Sequence, residues 1–125
     1  SSHQWKICFI DDEPDICEIY RVGLTAEGFH VVSAEDGSSG LALIRSEHPD
    51  AILLDLQMPN TDGFDVLRIL RSDSRLSKIP VIVLSNTDNE EAFRKVGAFN
   101  VAFFFVKSLT DPRKVAGAIR EVLTR

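Results

Sequence analysis

Five short apolar runs alternate along the chain with segments that have the periodicity of amphipathic helices. The runs begin near residues 6, 30, 51, 80 and 101, and each gap between them is long enough for one helix. They are almost uninterrupted and rich in Val, Ile, Leu and Phe, which is typical of strands covered on both faces of a parallel sheet. The pattern predicts one α/β domain made of five strand–helix repeats.

Short polar signals punctuate the predicted helices. Pro14 stands at a first-turn position and Gly28 ends the first helix, whose predicted inward stripe is Ile16, Ile19, Tyr20 and Leu24. The other starts are Asp36-Gly37, Asp62-Gly63, the capping-box spacing from Thr87 to Glu90, and Asp111-Pro112. The fourth helix carries Ala92, Phe93 and Val96 as its apolar residues.

A polar residue directly follows four of the five apolar runs. Asp11 and Asp12 follow the first run, Asp55 the third, Ser85 the fourth and Lys107 the fifth. The carboxyl ends of parallel strands lie at one edge of a sheet, and ligands bind there where the winding direction reverses. A strand order of 2-1-3-4-5 places the four contributing strands side by side, so we expect these side chains to share one pocket.

The residue types in this pocket suit a divalent cation and a phosphoryl group. Each close pair of carboxylates repels by ~4 kcal/mol at an effective dielectric constant near 20, and a cation removes that penalty. Mg²⁺ prefers one or two carboxylates together with water and phosphate oxygens, so Asp11 and Asp12 are predicted to anchor it. Asp55 is then the predicted nucleophile, with Lys107 supplying positive charge and Ser85 a hydrogen bond.

Taken singly, each of these residues has an ordinary structural explanation. Asp11 and Asp12 can cap a helix, Asp55 can belong to a turn, Ser85 to a loop, and Lys107 to the solvated surface. Their joint placement at four strand ends favours a functional site.

Composition narrows the classes of function. The 14 basic and 19 acidic residues give a net charge of −5, and the absence of a Lys/Arg cluster argues against direct binding of nucleic acid. No apolar run approaches the ~20 residues of a membrane span, and no segment has the pattern of a signal peptide. Cys8 and Cys17 lack metal-ligand spacing and are expected to be reduced thiols in or near the core of a cytoplasmic protein.

The chain resembles the receiver domain of two-component response regulators over residues 6–124. The motifs that match are Phe9-Ile-Asp-Asp-Glu-Pro14, Leu54-Asp-Leu-Gln-Met-Pro59 with Asp62-Gly63, Val83-Leu-Ser85, and Lys107. The resemblance implies a flavodoxin-like (βα)5 fold formed by a single domain, residues 1–125, in which residues 1–5 are an expression remnant or a flexible N-terminus. It also implies phosphate transfer from a histidine kinase or histidine phosphotransfer protein to Asp55. The transfer requires Mg²⁺, for which Mn²⁺ could substitute, and the backbone carbonyl of Gln57 completes the metal ligands that the protein supplies.

A conformational switch is a further implication of the resemblance. Phosphate on Asp55 draws Ser85 inward, Phe104 moves into the space left, and the surface of the fourth helix, fifth strand and fifth helix changes its affinity. The partner is a downstream protein, an output domain absent from this sequence, or a second copy in a homodimer. Gln57 and Thr87 occupy positions that influence the phosphoryl lifetime. The domain would catalyse only its own phosphorylation and slow dephosphorylation, so it is not expected to be an enzyme otherwise.

Three residues depart from the family pattern. Lys107 is followed by Ser108, where receivers usually have a proline joined by a cis bond, so a trans bond is expected here and the reach of Lys107 is in question. Asn100 stands where the family has glycine, and it tolerates the left-handed conformation that ends a helix. Gly97 is then expected inside the last turn of the fourth helix.

Other functions remain open at this point. The main alternative is a receiver-like interaction module that acts independently of phosphorylation. A Mg²⁺-dependent phosphohydrolase with an Asp nucleophile would need an acid/base two residues after Asp55, where Gln57 stands. A flavodoxin would need a hydroxyl-rich loop after the first strand, and a kinase would need a nucleotide loop, and the sequence has neither.

Overall fold

Five strands of the protein form one parallel sheet in the computed structural model, which describes residues 4–58, 61–86 and 90–125. The strands of this sheet are β1 Lys6–Ile10, β2 His30–Ala34, β3 Ala51–Asp55, β6 Val81–Ser85 and β7 Phe103–Val106, and two further strands, β4 Gln57–Met58 and β5 Thr61–Asp62, form a separate antiparallel pair. The helices are α1 Pro14–Ala26, α2 Gly37–Glu47, α3 Gly63–Ser72, α4 Glu90–Gly97 and α5 Pro112–Leu123, and a 3₁₀ turn spans Lys107–Leu109. The sheet order β2-β1-β3-β6-β7 confirms the predicted order 2-1-3-4-5 and the flavodoxin-like α/β fold.

Each face of the sheet has its own apolar core, because successive strand residues point to opposite sides. Ile10 and Leu54 belong to the core under α2, α3 and α4, whereas Phe9 and Leu53 belong to the core under α1 and α5. β3 and β6 are buried along their whole length, as expected of central strands in a parallel sheet. These two strands are the rigid base on which the site is built.

Most helix ends follow the signals read in the sequence. Pro14 opens α1, and Gly28 after it has a φ of 97°, which glycine adopts without strain. The carboxylates of Asp36, Asp62 and Asp111 accept hydrogen bonds from backbone amides in the first turns of α2, α3 and α5. The predicted cap at Thr87 lies outside the described residues.

Three predictions about the elements need correction. Ile19 is 53% exposed, because the stripe of α1 that faces the sheet runs in steps of four through Tyr20 and Leu24 and leaves Ile19 beside it. Phe93 is also exposed, since α4 buries only Val96 among its described side chains. The last strand of the sheet, β7, begins at Phe103 rather than at residue 101. The antiparallel pair β4–β5 between β3 and α3 was not predicted, since two-residue strands have no periodicity to detect.

The departures from the family pattern take the expected backbone forms. The Lys107–Ser108 bond is trans, Asn100 has a φ of 55°, and α4 ends at Gly97. Within the described part of the chain, no helix is both long enough and apolar enough to span a bilayer.

Two helix glycines offer a matched test of packing between α1 and α5. A Cβ at Gly23 would lie 2.5 Å from the Cβ of Pro112, whereas a Cβ at Gly117 would meet nothing within 4 Å. We expect Gly23→Ala to lower the free energy of unfolding by ~1–3 kcal/mol through overpacking, and Gly117→Ala to raise it by ~0.5–1 kcal/mol through helix propensity. Urea denaturation of both variants measures this, and equal effects in the two would contradict the close approach.

Candidate functional site

The carboxyl edge of the sheet brings together the polar residues that the sequence places after its strands. Asp11 follows β1, Asp55 is the last residue of β3 and Ser85 is the last residue of β6, and all three are fully buried. The backbone N–H of Asp11 donates to the carbonyl of Ala34 on β2 at 3.1 Å, which continues the strand pairing into the site. The backbone of buried strands therefore positions these side chains.

Three carboxylates form a close cluster at this edge. Asp11, Asp12 and Asp55 each contribute an oxygen, and these oxygens lie within 4.8 Å of one another. The backbone N–H of Glu13 donates to Asp11 Oδ1 at 2.9 Å, and that of Gln57 donates to Asp55 Oδ1 at 3.1 Å. In both Asp11 and Asp55, the backbone N–H of the residue two positions later holds Oδ1 in place. Oδ2 of each carboxylate is therefore left to make other contacts.

Lys107 is the cation of the cluster. Its Nζ lies 2.8 Å from Asp11 Oδ2 and 3.3 Å from Asp55 Oδ2, with Glu13 Oε1 further away at 3.8 Å. Burial lowers the pKa of Lys107, but its hydrogen bond to Asp11 and the charges of Asp55, Asp11 and Glu13 outweigh this and raise the pKa overall. The trans bond to Ser108 therefore does not keep Lys107 out of the pocket.

Asp55 has an unusual acidity for a carboxyl group. Burial, followed by the neighbouring charge of Asp11, raises its pKa to about 7, against the opposing effects of Lys107 and the Gln57 N–H. One lysine therefore does not fully compensate two buried carboxylates at neutral pH, and the site retains an attraction for further positive charge.

The cluster fits a small, hard divalent cation. All three side chains offer oxygen ligands, which Mg²⁺ prefers, and Asp12 Oδ1 is buried without a hydrogen-bond partner among the described residues. A buried carboxylate oxygen without a partner is costly, and a bound cation would satisfy it.

Gly63 explains how the chain after β3 stays close to Asp55. A Cβ at this position would lie 2.7 Å from the Cα of Leu56 and 2.9 Å from the carbonyl oxygen of Asp55. The N–H of Gly63 also donates to the carbonyl of Leu56 at 3.2 Å. The start of α3 therefore packs directly on the end of β3, which only glycine permits.

Gln57 makes contacts that the sequence analysis missed. Its Nε2 donates to Ser85 Oγ at 3.0 Å, and its Oε1 accepts a hydrogen bond from the backbone N–H of Asn86 at 2.8 Å. The sequence analysis named Gln57 for its backbone carbonyl and for an influence on the phosphoryl lifetime, but it did not predict these hydrogen bonds, because the bridge depends on how β3 and β6 pair. The side chain thus connects the ends of two neighbouring strands above the pocket.

Phe104, the aromatic residue of the expected switch, lies one strand away from the cluster. It is half-buried on β7, in register with Val83, two residues before Ser85 along β6. Its ring meets the exposed ring of Phe93 edge to face, with centroids 5.4 Å apart. The structure therefore places Phe104 between the strand that bears Ser85 and the surface of α4.

The comparisons with known proteins agree with this geometry. A family model described as the response regulator receiver domain matches residues 7–120. Over 121 residues the chain is 33% identical to the DNA-binding response regulator MtrA of Mycolicibacterium smegmatis, covering 96% of this chain and 51% of that protein. The solved structure of the chemotaxis protein CheY4 of Vibrio cholerae superposes with a TM-score of 0.89 at 25% identity, covering 97% of this chain and 100% of that one.

A third match is the phosphorylated cyanobacterial phytochrome response regulator RcpA, with a TM-score of 0.80 at 29% identity, covering 96% of this chain and 91% of that one. The chain belongs to the response regulator receiver domain family of two-component signal transduction. It spans about half the length of the curated relatives that match it along 96% of its residues.

The raised pKa of Asp55 predicts a pH dependence of stability in the absence of metal. The folded protein keeps this proton up to a pH of about 7, whereas the unfolded chain releases it near 3.8, so this contribution to stability is lost as the pH rises through that window. Asp55→Asn removes the repulsion, and we expect it to raise the free energy of unfolding at pH 7.5 by ~1–3 kcal/mol.

Urea denaturation in EDTA at pH 5 and pH 7.5 measures this difference. The advantage of Asp55→Asn over the wild type should shrink at pH 5, where the wild-type carboxyl is largely protonated. An advantage that is equal at both pH values, or a variant that is less stable at both, would contradict the electrostatic account.

Proposed function

We propose that this receiver domain accepts a phosphoryl group on Asp55 from a histidine kinase or a histidine phosphotransfer protein. The observation that supports it is the position of the Lys107 ammonium, which lies between the buried carboxylates of Asp11 and Asp55. A structural ion pair needs one carboxylate, whereas the Lys107 ammonium has Asp11 and Asp55 within 3.3 Å and Glu13 at 3.8 Å. Such an excess of negative charge is useful where a metal ion and a phosphoryl group are bound together.

The proposed reaction is an exchange of one bond to phosphorus for another. Asp55 Oδ2, the oxygen that faces Lys107, attacks the phosphorus of the donor and forms an acyl phosphate, while the bond from phosphorus to the donor imidazole breaks and its electron pair stays on that nitrogen. Lys107 then pairs with the oxygens of the transferred group, and the Ser85 hydroxyl donates a hydrogen bond to one of them.

Asp11, Asp12, Asp55 and the backbone carbonyl of Gln57 would hold Mg²⁺ in this proposal, and Mn²⁺ could replace it. When bound, the cation neutralises charge on the phosphoryl oxygens. The carboxylates of the cluster also orient the ammonium of Lys107, since Asp11 Oδ2 is its nearest partner.

The proposed output is a change in the face formed by α4, β7 and α5. Ser85 and Phe104 are the switch residues, and the edge-to-face contact of Phe104 with Phe93 extends this connection to the exposed surface of α4. The surface would bind a downstream protein, an output domain or a second copy of the chain. We infer a single receiver domain over residues 1–125 that acts in the cytoplasm and binds no DNA itself, any such activity residing in a separate output domain.

The alternative, an interaction module that ignores phosphate, was suggested by the missing proline after Lys107. The distances from Lys107 to both buried carboxylates weaken that argument, because the ammonium reaches the pocket from the trans backbone. The two functions are separated by asking whether the protein becomes phosphorylated.

Intact-mass spectrometry after incubation with acetyl phosphate tests the proposal. We expect one phosphoryl adduct that requires Mg²⁺, is cleaved by hydroxylamine as an acyl phosphate, and is absent in Asp55→Asn. Asp65→Asn, which changes a partly exposed aspartate on α3, is the matched control and should be labelled like the wild type. No adduct on folded wild-type protein, or an adduct retained in Asp55→Asn, would overturn the proposal.

A further inference from the structure

The amide side chain of Gln57 forms hydrogen bonds both to Ser85 Oγ and to the backbone N–H of Asn86. The distances are 3.0 Å from Nε2 to Ser85 Oγ, 3.3 Å from Ser85 Oγ to Oε1, and 2.8 Å from the Asn86 N–H to Oε1. The backbone N–H of the same residue donates to Asp55 Oδ1 at 3.1 Å. Gln57 therefore contacts the proposed acceptor and the proposed switch residue at once.

The contact with Asn86 fixes the orientation of this amide. A backbone N–H can only donate, so the Gln57 atom that it meets must be the oxygen, and Nε2 must then be the atom that faces Ser85. The main chain of Gln57 is also held by its own bond to Asp55. The amide therefore cannot follow Ser85 without losing the Asn86 contact.

We propose that the Gln57 side chain is a latch, a positioning residue that holds Ser85 and Asn86 in the resting arrangement and competes with the phosphoryl group for the Ser85 hydroxyl. This inference rests on the proposed function. In the resting arrangement Ser85 Oγ accepts from Gln57 Nε2 at 3.0 Å and lies 3.3 Å from Oε1, and these contacts compete with a turn of the hydroxyl toward a phosphoryl oxygen. When Ser85 turns to the phosphoryl group, its contacts with the fixed amide are weakened, and that loss favours the resting state.

The Gln57 side chain also holds the backbone between β6 and α4, and α4 is part of the proposed output face. Asn86 is the last described residue before α4 begins at Glu90, and its N–H is held by the same amide that holds Ser85. Release of Ser85 and release of this backbone are therefore coupled through one side chain. A local change of partner can in this way bias a two-state element.

Removal of the amide at constant volume tests the latch. Gln57→Met keeps the length of the side chain and the backbone carbonyl but cannot form these hydrogen bonds. We expect the Asn86 amide proton to exchange with solvent at least ~10-fold faster in the variant, because it loses its acceptor. Equal exchange in the variant and the wild type would overturn the latch without any reference to phosphorylation.

The second measurement is the affinity for beryllofluoride, a non-transferable mimic of the phosphoryl group, with Mg²⁺ present. Loss of one or two neutral hydrogen bonds from the resting state should tighten binding by roughly three- to tenfold in Gln57→Met. Gln4→Met, the same substitution at an exposed position before β1 at the opposite edge of the sheet, is the matched control and should bind like the wild type. Unchanged or weaker binding by Gln57→Met would overturn the competition.

A double-mutant cycle identifies Ser85 as the route of the effect. In a Ser85→Ala background, Gln57→Met should change the beryllofluoride affinity by less than about 1.5-fold, since the contested hydroxyl is gone. A full-sized effect without Ser85 would overturn the latch in favour of direct action of Gln57 on the bound group. The wild type is measured first, and if it binds no beryllofluoride, the proposed function itself fails. Failure of the latch alone is seen only when the variants are compared with a wild type that binds.

Discussion

The repulsion between two buried carboxylates, Asp11 and Asp55, is the constraint on which the rest of the site depends. Both side chains are fully buried, and at an effective dielectric constant near 20 such a pair repels by ~4 kcal/mol at contact distance. Lys107 offsets part of this through its contacts with both, yet the pKa of Asp55 is still raised to about 7. The pocket is thus incompletely neutralised, and that residual charge suits it to a metal ion.

The fold tolerates this repulsion because the strands that hold it are stabilised elsewhere. β3 and β6 are buried along their whole length, and apolar cores pack on both faces of the sheet. Gly63 allows α3 to pack against the end of β3, so the chain after Asp55 cannot relax away from the pocket without losing this packing. Hydrophobic burial away from the site therefore maintains the electrostatic strain within it.

The parts of this structure that were predictable from the sequence are those set by strand periodicity and topology. Parallel strands have their carboxyl ends at one edge, so the positions of Asp55 and Ser85 follow once the runs before them are read as strands. The exposure of Ile19, the pair β4–β5 and the amide bridge of Gln57 depend on how neighbouring elements pack, which local patterns do not encode. The acidity of Asp55 likewise results from burial beside Asp11 and not from its own sequence context.

The position of Lys107 shows which departures from the family pattern this pocket can accept. Val106 pairs in register with Ser85, so β7 brings the next residue to the edge of the sheet whatever peptide bond follows it. After this strand, the chain with its trans bond continues as the 3₁₀ turn Lys107–Leu109. Leu109 is 68% exposed, and its carbonyl accepts a hydrogen bond from Lys114 Nζ. Strand register therefore positions Lys107 in the pocket, and the loop that follows it lies at the surface beside α5, where partners are proposed to bind.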